Sequence, residues 1–228
     1  MTKTAFVVTP SDFRAYLLDG LVKSGDIVIM ERAKNFRKEY ETIHPLDQTS
    51  NWFQPYSHFQ LSTTSIVKVD SVNDPKFLTT IQVERPTKII LSGANYISNN
   101  LHAALLNISS TILNVHMGNP RKFRGLDSNL WQALDDINSY PSVCLHHVHQ
   151  KLDHGQIESM VTSEKPFHSM TLTEFKRFEV EAAKQCLLYS SRVLNTTNES
   201  ASIDLCGVYQ SAMSSNIKDK VYSLFQSP

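Results

Sequence analysis

Short apolar runs alternate with amphipathic segments from residue 4 to residue 162 of the chain. "TAFVVT" (4–9) is a continuous β-rich apolar run. "DFRAYLLDGLVKSG" (12–25) then sets Phe13, Tyr16, Leu17 and Leu21 at helical spacing, with Ser11 or Asp12 as N-cap and Gly25 as stop. "DIVIME" (26–31) is a second buried strand, so the three segments make a βαβ unit and predict a parallel sheet covered on both faces. The alternation continues: strand 65–72, helix 74–85 with a proline near its start, strand 87–93 ending in glycine, helix 97–108, strand 111–116. In 126–136, Leu126, Leu130, Trp131 and Leu134 share one helical face and read as core, with Asp127 or Ser128 as cap. Strand 142–150 and its partner 156–162 flank a turn at Asp153–Gly155. The longest helix, 171–194, opens with a capping box in Thr171…Glu174 or with Thr173 nearby.

Three stretches break the rhythm. Residues 34–65 are polar and aromatic-spotted with Pro45 and Pro55, which predicts irregular structure, a short helix or a substrate-facing insertion. Their Trp52, Phe53, Tyr56 and Phe59 suit stacking on a base as well as packing of the insertion. "NTTNESAS" (195–202) reads as a loop, and 203–226 as a small strand-plus-helix appendage. The whole predicts an α/β fold: an open, mostly parallel sheet flanked by helices, with a catalytic domain over 1–165 and a C-terminal helix and appendage over 166–228.

Composition narrows this. Hydrophobic residues are 41% of 228, enough for a sizeable core. Lys+Arg and Asp+Glu are both 22, a balance that gives no reason to expect nucleic acid or an anionic membrane as partner. The three cysteines, Cys144, Cys186 and Cys206, form no CxxC, which predicts a reduced, cytoplasmic protein without a disulfide framework or zinc site. The N-terminal apolar run is too short for a signal peptide, and no run approaches the ~18 apolar residues of a membrane span.

Ligands of open parallel sheets bind beyond the carboxyl ends of the strands. Strand 111–116 ends there on Asn114 and His116, which as i and i+2 point to one face, with Val115 opposite. A histidine moves protons near neutral pH, and an asparagine offers an N–H to a developing oxyanion. A strand-end histidine is also commonly a hydrogen-bonded structural residue. His146, His147, His149 and His154 raise a metal reading, weighed against a strand that is simply rich in histidine.

"NVHMGNPRKFRG" (114–125) resembles the signature of the formyltransferases that use 10-formyltetrahydrofolate: Asn-x-His, then a loop of fixed length closing on aromatic-Arg-Gly. "LDHG" (152–155) is similar to that family's second motif, Leu-Asp-x-Gly, and "PTKIILSGANYIS" (86–98) to its strand and loop beside the folate. "CGVYQSAMSSNIKD" (206–219) resembles, more loosely, a tail of members that formylate amino sugars. The chain departs from the pattern in having Met117-Gly118-Asn119-Pro120-Arg121 where Pro-Ser-Leu-Leu-Pro is usual, in lacking the second acid after Asp153, and in lacking a glycine-rich first turn. The loop variant is closer to the sugar-modifying branch.

The resemblance implies a Rossmann-like fold and transfer of a formyl group from 10-formyltetrahydrofolate to a primary amine. It implies that Asn114 and His116 steady the oxyanion, that His116 or water accepts the amine's proton, and that Asp153 holds the imidazole's charge state or passes protons on. It sets Gly93, Ala94, Asn95, Tyr96, His149, Gln150 and Leu152 against the folate, and Asp12, Gly118, Asn119, Arg121 and Lys122 toward the acceptor. Asp12 and Arg14 suit a helix cap and a solvent-facing position equally well, Arg121 and Lys122 a solvated loop, and Arg124 a structural role in shaping that loop. The implied acceptor is the amine of a nucleotide-linked amino-dideoxy sugar, as in lipopolysaccharide O-antigen synthesis, and the tail suggests a homodimer. Methionyl-tRNA or glycinamide ribotide as acceptor, formyl-folate hydrolysis, and a folate-binding module without activity are the alternatives.

Overall fold

Five of the apolar runs form four parallel pairs in the computed structural model, which describes residues 3–9, 12–32, 65–109, 111–192 and 207–226. Strand β1 (Thr4–Val8) lies between β2 (Ile27–Glu31) and β4 (Lys88–Ser92), parallel to both; β3 (Ser65–Val69) extends β2, and β5 (Thr111–His116) extends β4. With β7 (Ser142–His147) and β8 (Ile157–Thr162) these make a seven-stranded sheet in the order β3-β2-β1-β4-β5-β7-β8, β7 and β8 being antiparallel. The α/β, Rossmann-like expectation is met. The strand order reverses between β1 and β4, the switch point at which open α/β sheets hold ligands.

The described residues divide into two compact units. The first holds residues up to 32, 65–115 and 147–155. Its strands bury Ala5, Val7, Ile27, Ile29, Ile89, Leu91 and Ile112 with Phe77 and Ile81 of helix α2 (Pro75–Glu84) and Leu101 and Leu105 of α3 (Asn99–Leu106). Both helices fall within the predicted ranges, α2 with Pro75 in its first turn: Asp74 caps α2 by accepting from the Lys76 amide at 2.8 Å, and Ser98 caps α3 by accepting from the Leu101 amide. Helix α1 (Asp12–Leu18) is shorter than the predicted 12–25. The chain turns at Asp19–Gly20, where Gly20 takes a left-handed φ of 74°, and Leu21 is buried from outside the helix.

The second unit holds residues 116–146 and 156–226. Helix α4 (Ser128–Asp135), α5 (Leu172–Arg192) and α6 (Ser215–Tyr222) bring Leu130, Ala133, Phe175, Val221 and Tyr222 into one core with Phe167, Met213 and Phe225. The Phe175 and Phe225 rings pack 5.1 Å apart. The capping box opens α5 as predicted: Thr171 Oγ1 accepts from the Glu174 amide at 3.1 Å, and Glu174 Oε2 accepts from the Thr171 amide at 2.8 Å.

Helix α4 departs from its predicted face. Leu126 and Leu134 are exposed and Trp131 is half-buried. The buried side carries Asn129 and Gln132 beside Leu130 and Ala133. Asn129 both accepts from the Ser142 amide (3.1 Å) and donates to its carbonyl (2.9 Å), and Gln132 donates to Ser139 Oγ and the Tyr140 carbonyl. Polar side chains that clamp a backbone outrank leucines for the interior here. Asp127 stands at the cap position with a left-handed φ of 54° and does not cap; its carboxylate accepts from the Met213 amide and pairs with Lys218 at 3.3 Å. The basic loop contains an unpredicted strand, β6 (Phe123–Gly125), parallel to β9 (Val208–Gln210) of the tail. The insertion at 34–65 apart from Ser65, the loop at 195–202 and Cys206 lie outside the described residues.

Candidate active site

In the first unit, the chain leaving β4 turns over a half-buried cation. Arg14 of α1 donates through Nε to the Ser92 carbonyl at 3.0 Å, and burial pushes its guanidinium down to about 10. A Cβ on Gly93 would lie 1.9 Å from that guanidinium, and Gly93 has a left-handed φ of 67°. The left-handed backbone favours glycine at this turn, and a side chain there would also displace the guanidinium. Asn95 follows, held by the buried carboxylate of Glu31: its amide N–H donates to Oε2 at 2.8 Å and its Nδ2 to Oε1. Asn95 Oδ1 is buried and has no hydrogen-bond partner among the described residues. Ala94 packs on the core, and Tyr96 is exposed.

The second predicted donor segment belongs to the same unit. The Val148 amide donates to the Ile112 carbonyl at 2.8 Å, which fixes residues 147–155 beside β5, two residues before Asn114. His102 Nε2 meets the Val148 carbonyl at 3.2 Å, and Tyr96 donates to the Gln150 carbonyl at 3.0 Å. Residues 93–96 and 149–152 are thus joined through one phenol. His149 and Leu152 are exposed, and His149 and His154 lie with ring centroids 6.3 Å apart. Asp153 is buried with a left-handed φ of 52°. Gly155 allows the tight return: a Cβ there would lie 1.5 Å from the His147 carbonyl oxygen. A buried carboxylate in a sparsely populated backbone region is a constrained position. Asn114 is half-buried at the end of β5.

In the second unit, His116 is buried, and its ring stands edge-on to that of buried His146, centroids 6.0 Å apart. Gly118 follows in a tight space: a Cβ would lie 2.6 Å from Ser128 Cβ and 3.3 Å from His116 Nε2. Asn119 folds the loop, its Oδ1 accepting from the Arg121 amide at 3.0 Å. Arg121 and Lys122 are exposed. Arg124 turns inward and donates to the Gly207 carbonyl, the structural role expected for it. Asp12 is the first residue of α1. Among the described residues no group of three His, Cys, Asp or Glu side chains is placed to hold a metal ion, and no helix is long and apolar enough to cross a membrane.

The sequence reading passed over two buried polar groups of this site. Glu31 was legible as the one charge closing an otherwise apolar strand at its carboxyl end; His102 carried no signal beyond its place in a helix.

No family model matches the chain, and no curated protein sequence matches it. Solved structures do. HypX from Aquifex aeolicus, crystallised with tetrahydrofolic acid, matches with a TM-score of 0.56 and 12% identity over 98% of this chain and 33% of its own. WlaRD, a sugar 3N-formyl transferase crystallised in the presence of dTDP and 5-N-formyl-THF, matches with a TM-score of 0.57 and 13% identity over 92% of this chain and 70% of its own. Glycinamide ribonucleotide transformylase 1 from Symbiobacterium toebii matches with a TM-score of 0.58 and 17% identity over 87% of this chain and 92% of its own. The chain spans about a third of the length of HypX. Its fold is the one these three structures share.

Proposed function

We propose that this protein transfers a formyl group from 10-formyltetrahydrofolate to the amine of a nucleotide-linked amino sugar. The observation that carries the reading is the pair Asn114 and His116 at the carboxyl end of β5, in a fold whose solved relatives handle formyl-folates and amines. The residues present fit a folate. Asn95 Oδ1 is a buried acceptor lacking a donor, and the pterin end of a folate carries N–H donors. The Gly93 turn carries no side chain, which brings bare backbone to the ligand.

When bound, the formyl-folate supplies an activated formyl carbonyl. The Asn114 amide donates to the formyl oxygen as negative charge grows there, an interaction worth roughly 2.7–4 kcal/mol at comparable sites. His116 would take the proton of the attacking amine and return it to the folate nitrogen that leaves as the formyl C–N bond breaks, and burial keeps the imidazole away from competing water. Asp153 is the carboxylate we assign to stabilising the imidazolium that results. Gly93–Tyr96 and His149–Leu152 seat the donor. Gly118, Asn119, Arg121 and Lys122 are the residues we assign to the acceptor, with Asp12 from the sequence reading, and the acceptor's phosphates suit the two exposed cations. Cys144 and Cys186 are buried free thiols, which fits the cytoplasm.

Mass spectrometry of the products from 10-formyltetrahydrofolate and a panel of nucleotide-linked amino sugars tests this. One formyl group gained by a sugar supports it. No transfer to any sugar, with the folate bound normally, removes the acceptor class. A second reading, glycinamide ribonucleotide as acceptor, is favoured by the 92% of that transformylase which the chain covers, and formylation of that compound in the same assay would establish it.

A further inference from the structure

Glu31 closes β2 with 1% of its surface exposed, and the chemistry above gives it no task. Its Oε1 accepts from the Val72 amide at 2.9 Å and from Asn95 Nδ2; its Oε2 accepts from the Asn95 amide at 2.8 Å. One carboxylate therefore ties together the end of β2, the turn after β3 and the loop after β4. A buried carboxylate costs more than the apolar residue that could fill the same space, so its retention points to what it holds. What it holds is Asn95, by backbone and side chain at once. Because Nδ2 is committed to Glu31, the amide cannot flip, and Oδ1 stays an acceptor without a partner among the described residues. On its other side the loop is braced by Arg14, through the Ser92 carbonyl and against Gly93.

We infer that Glu31 is a positioning residue for the formyl donor: it locks the Gly93–Tyr96 loop and presents Asn95 Oδ1 to an N–H of the bound folate. This rests on the reading of that loop as the folate site. The test is calorimetric titration of the full-length wild type, Glu31→Gln and Asn95→Ala with 5-formyltetrahydrofolate, well below each protein's unfolding temperature. Glu31→Gln is isosteric but sets an NH2 group against an N–H donor, and is expected to weaken binding about tenfold, the scale of one charge-assisted hydrogen bond. Asn95→Ala, which leaves Glu31 in place, is expected to weaken it by a similar factor. A residue that only stabilised the fold would lower the unfolding temperature and leave the affinity of the folded protein unchanged. Binding within twofold of wild type by folded Glu31→Gln overturns the inference. If that variant does not fold, binding within twofold by Asn95→Ala does the same. Absence of binding by the wild type itself overturns the folate reading and this inference with it, a result distinct from wild type and variants binding equally well.

Discussion

The loops after β4 and β5 both leave the carboxyl end of a parallel strand, yet they are held in opposite ways. Residues 93–96 are fastened from outside: Arg14 and Glu31 grip the backbone, Asn73 Nδ2 donates to the Tyr96 carbonyl at 2.8 Å, and the Tyr96 hydroxyl reaches Gln150. Residues 117–122 are fastened mostly to themselves, through the Asn119 side chain and the bond from the Lys122 amide to the Asn119 carbonyl, and they leave Arg121 and Lys122 in solvent. Rigid, buried polar contacts preorganise a site for one ligand; exposed long cations adapt to several. That is the division a common formyl donor and a particular acceptor would require.

The comparison breaks most visibly in kinetics. His116→Ala and Asn114→Ala are expected to lower kcat by roughly a hundred- to ten-thousand-fold at saturating donor and acceptor. The paired change Arg121→Ala with Lys122→Ala is expected to raise the acceptor KM several-fold with a far smaller effect on kcat, because exposed cations contribute little per contact. Steady-state kinetics with each substrate varied in turn separates the two. Equal losses of kcat in both sets would erase the distinction between a chemical centre and an adaptable loop.

A smaller effect sharpens the donor side. Gly155→Ala puts a methyl group on the His147 carbonyl oxygen, so backbone must move, at about 1–3 kcal/mol. The thermal midpoint should fall by roughly 2–4 °C per kcal/mol, and folate binding should weaken because the same turn follows directly on His149–Leu152. An unchanged midpoint would mean that the turn is not tight.

What could be read from sequence follows the same division. The βαβ rhythm, the proline at the start of α2, the Thr171–Glu174 box and the strand ending on Asn114 and His116 were legible because each is local: a period, a spacing of three, an apolar run with a polar end. The buried face of α4 was misread because Asn129 and Gln132 are driven inward by backbone groups 13 and 8 residues away, which no helical period reveals. The β6–β9 pair joins segments more than 80 residues apart, and β6 is only three residues long. Glu31 is the instructive omission. Its charge was visible at the end of "DIVIME", but its partners, Val72 and Asn95, are brought to it only by the strand order.

The weakest expected effect tests whether the local signals were read for the right physical reason. Glu174, in the first turn of α5, has its carboxyl lowered from 4.5 to about 2, first by the Thr171 amide and then by Lys165, whose ammonium lies 3.0 Å away. A carboxyl depressed on folding contributes stability that is present above its ordinary value, near pH 4.5, and is lost as pH falls toward 2. Glu174→Gln keeps an acceptor for the Thr171 amide and removes the charge. The variant should therefore melt slightly below wild type at pH 7, and the two thermal midpoints should converge between pH 4.5 and 2. Salt should narrow the difference at neutral pH, since both partners of the ion pair are exposed. A gap that persisted unchanged at pH 2 would assign the cap to hydrogen-bond geometry alone, and the charge of Glu174 would have no part in starting the longest helix.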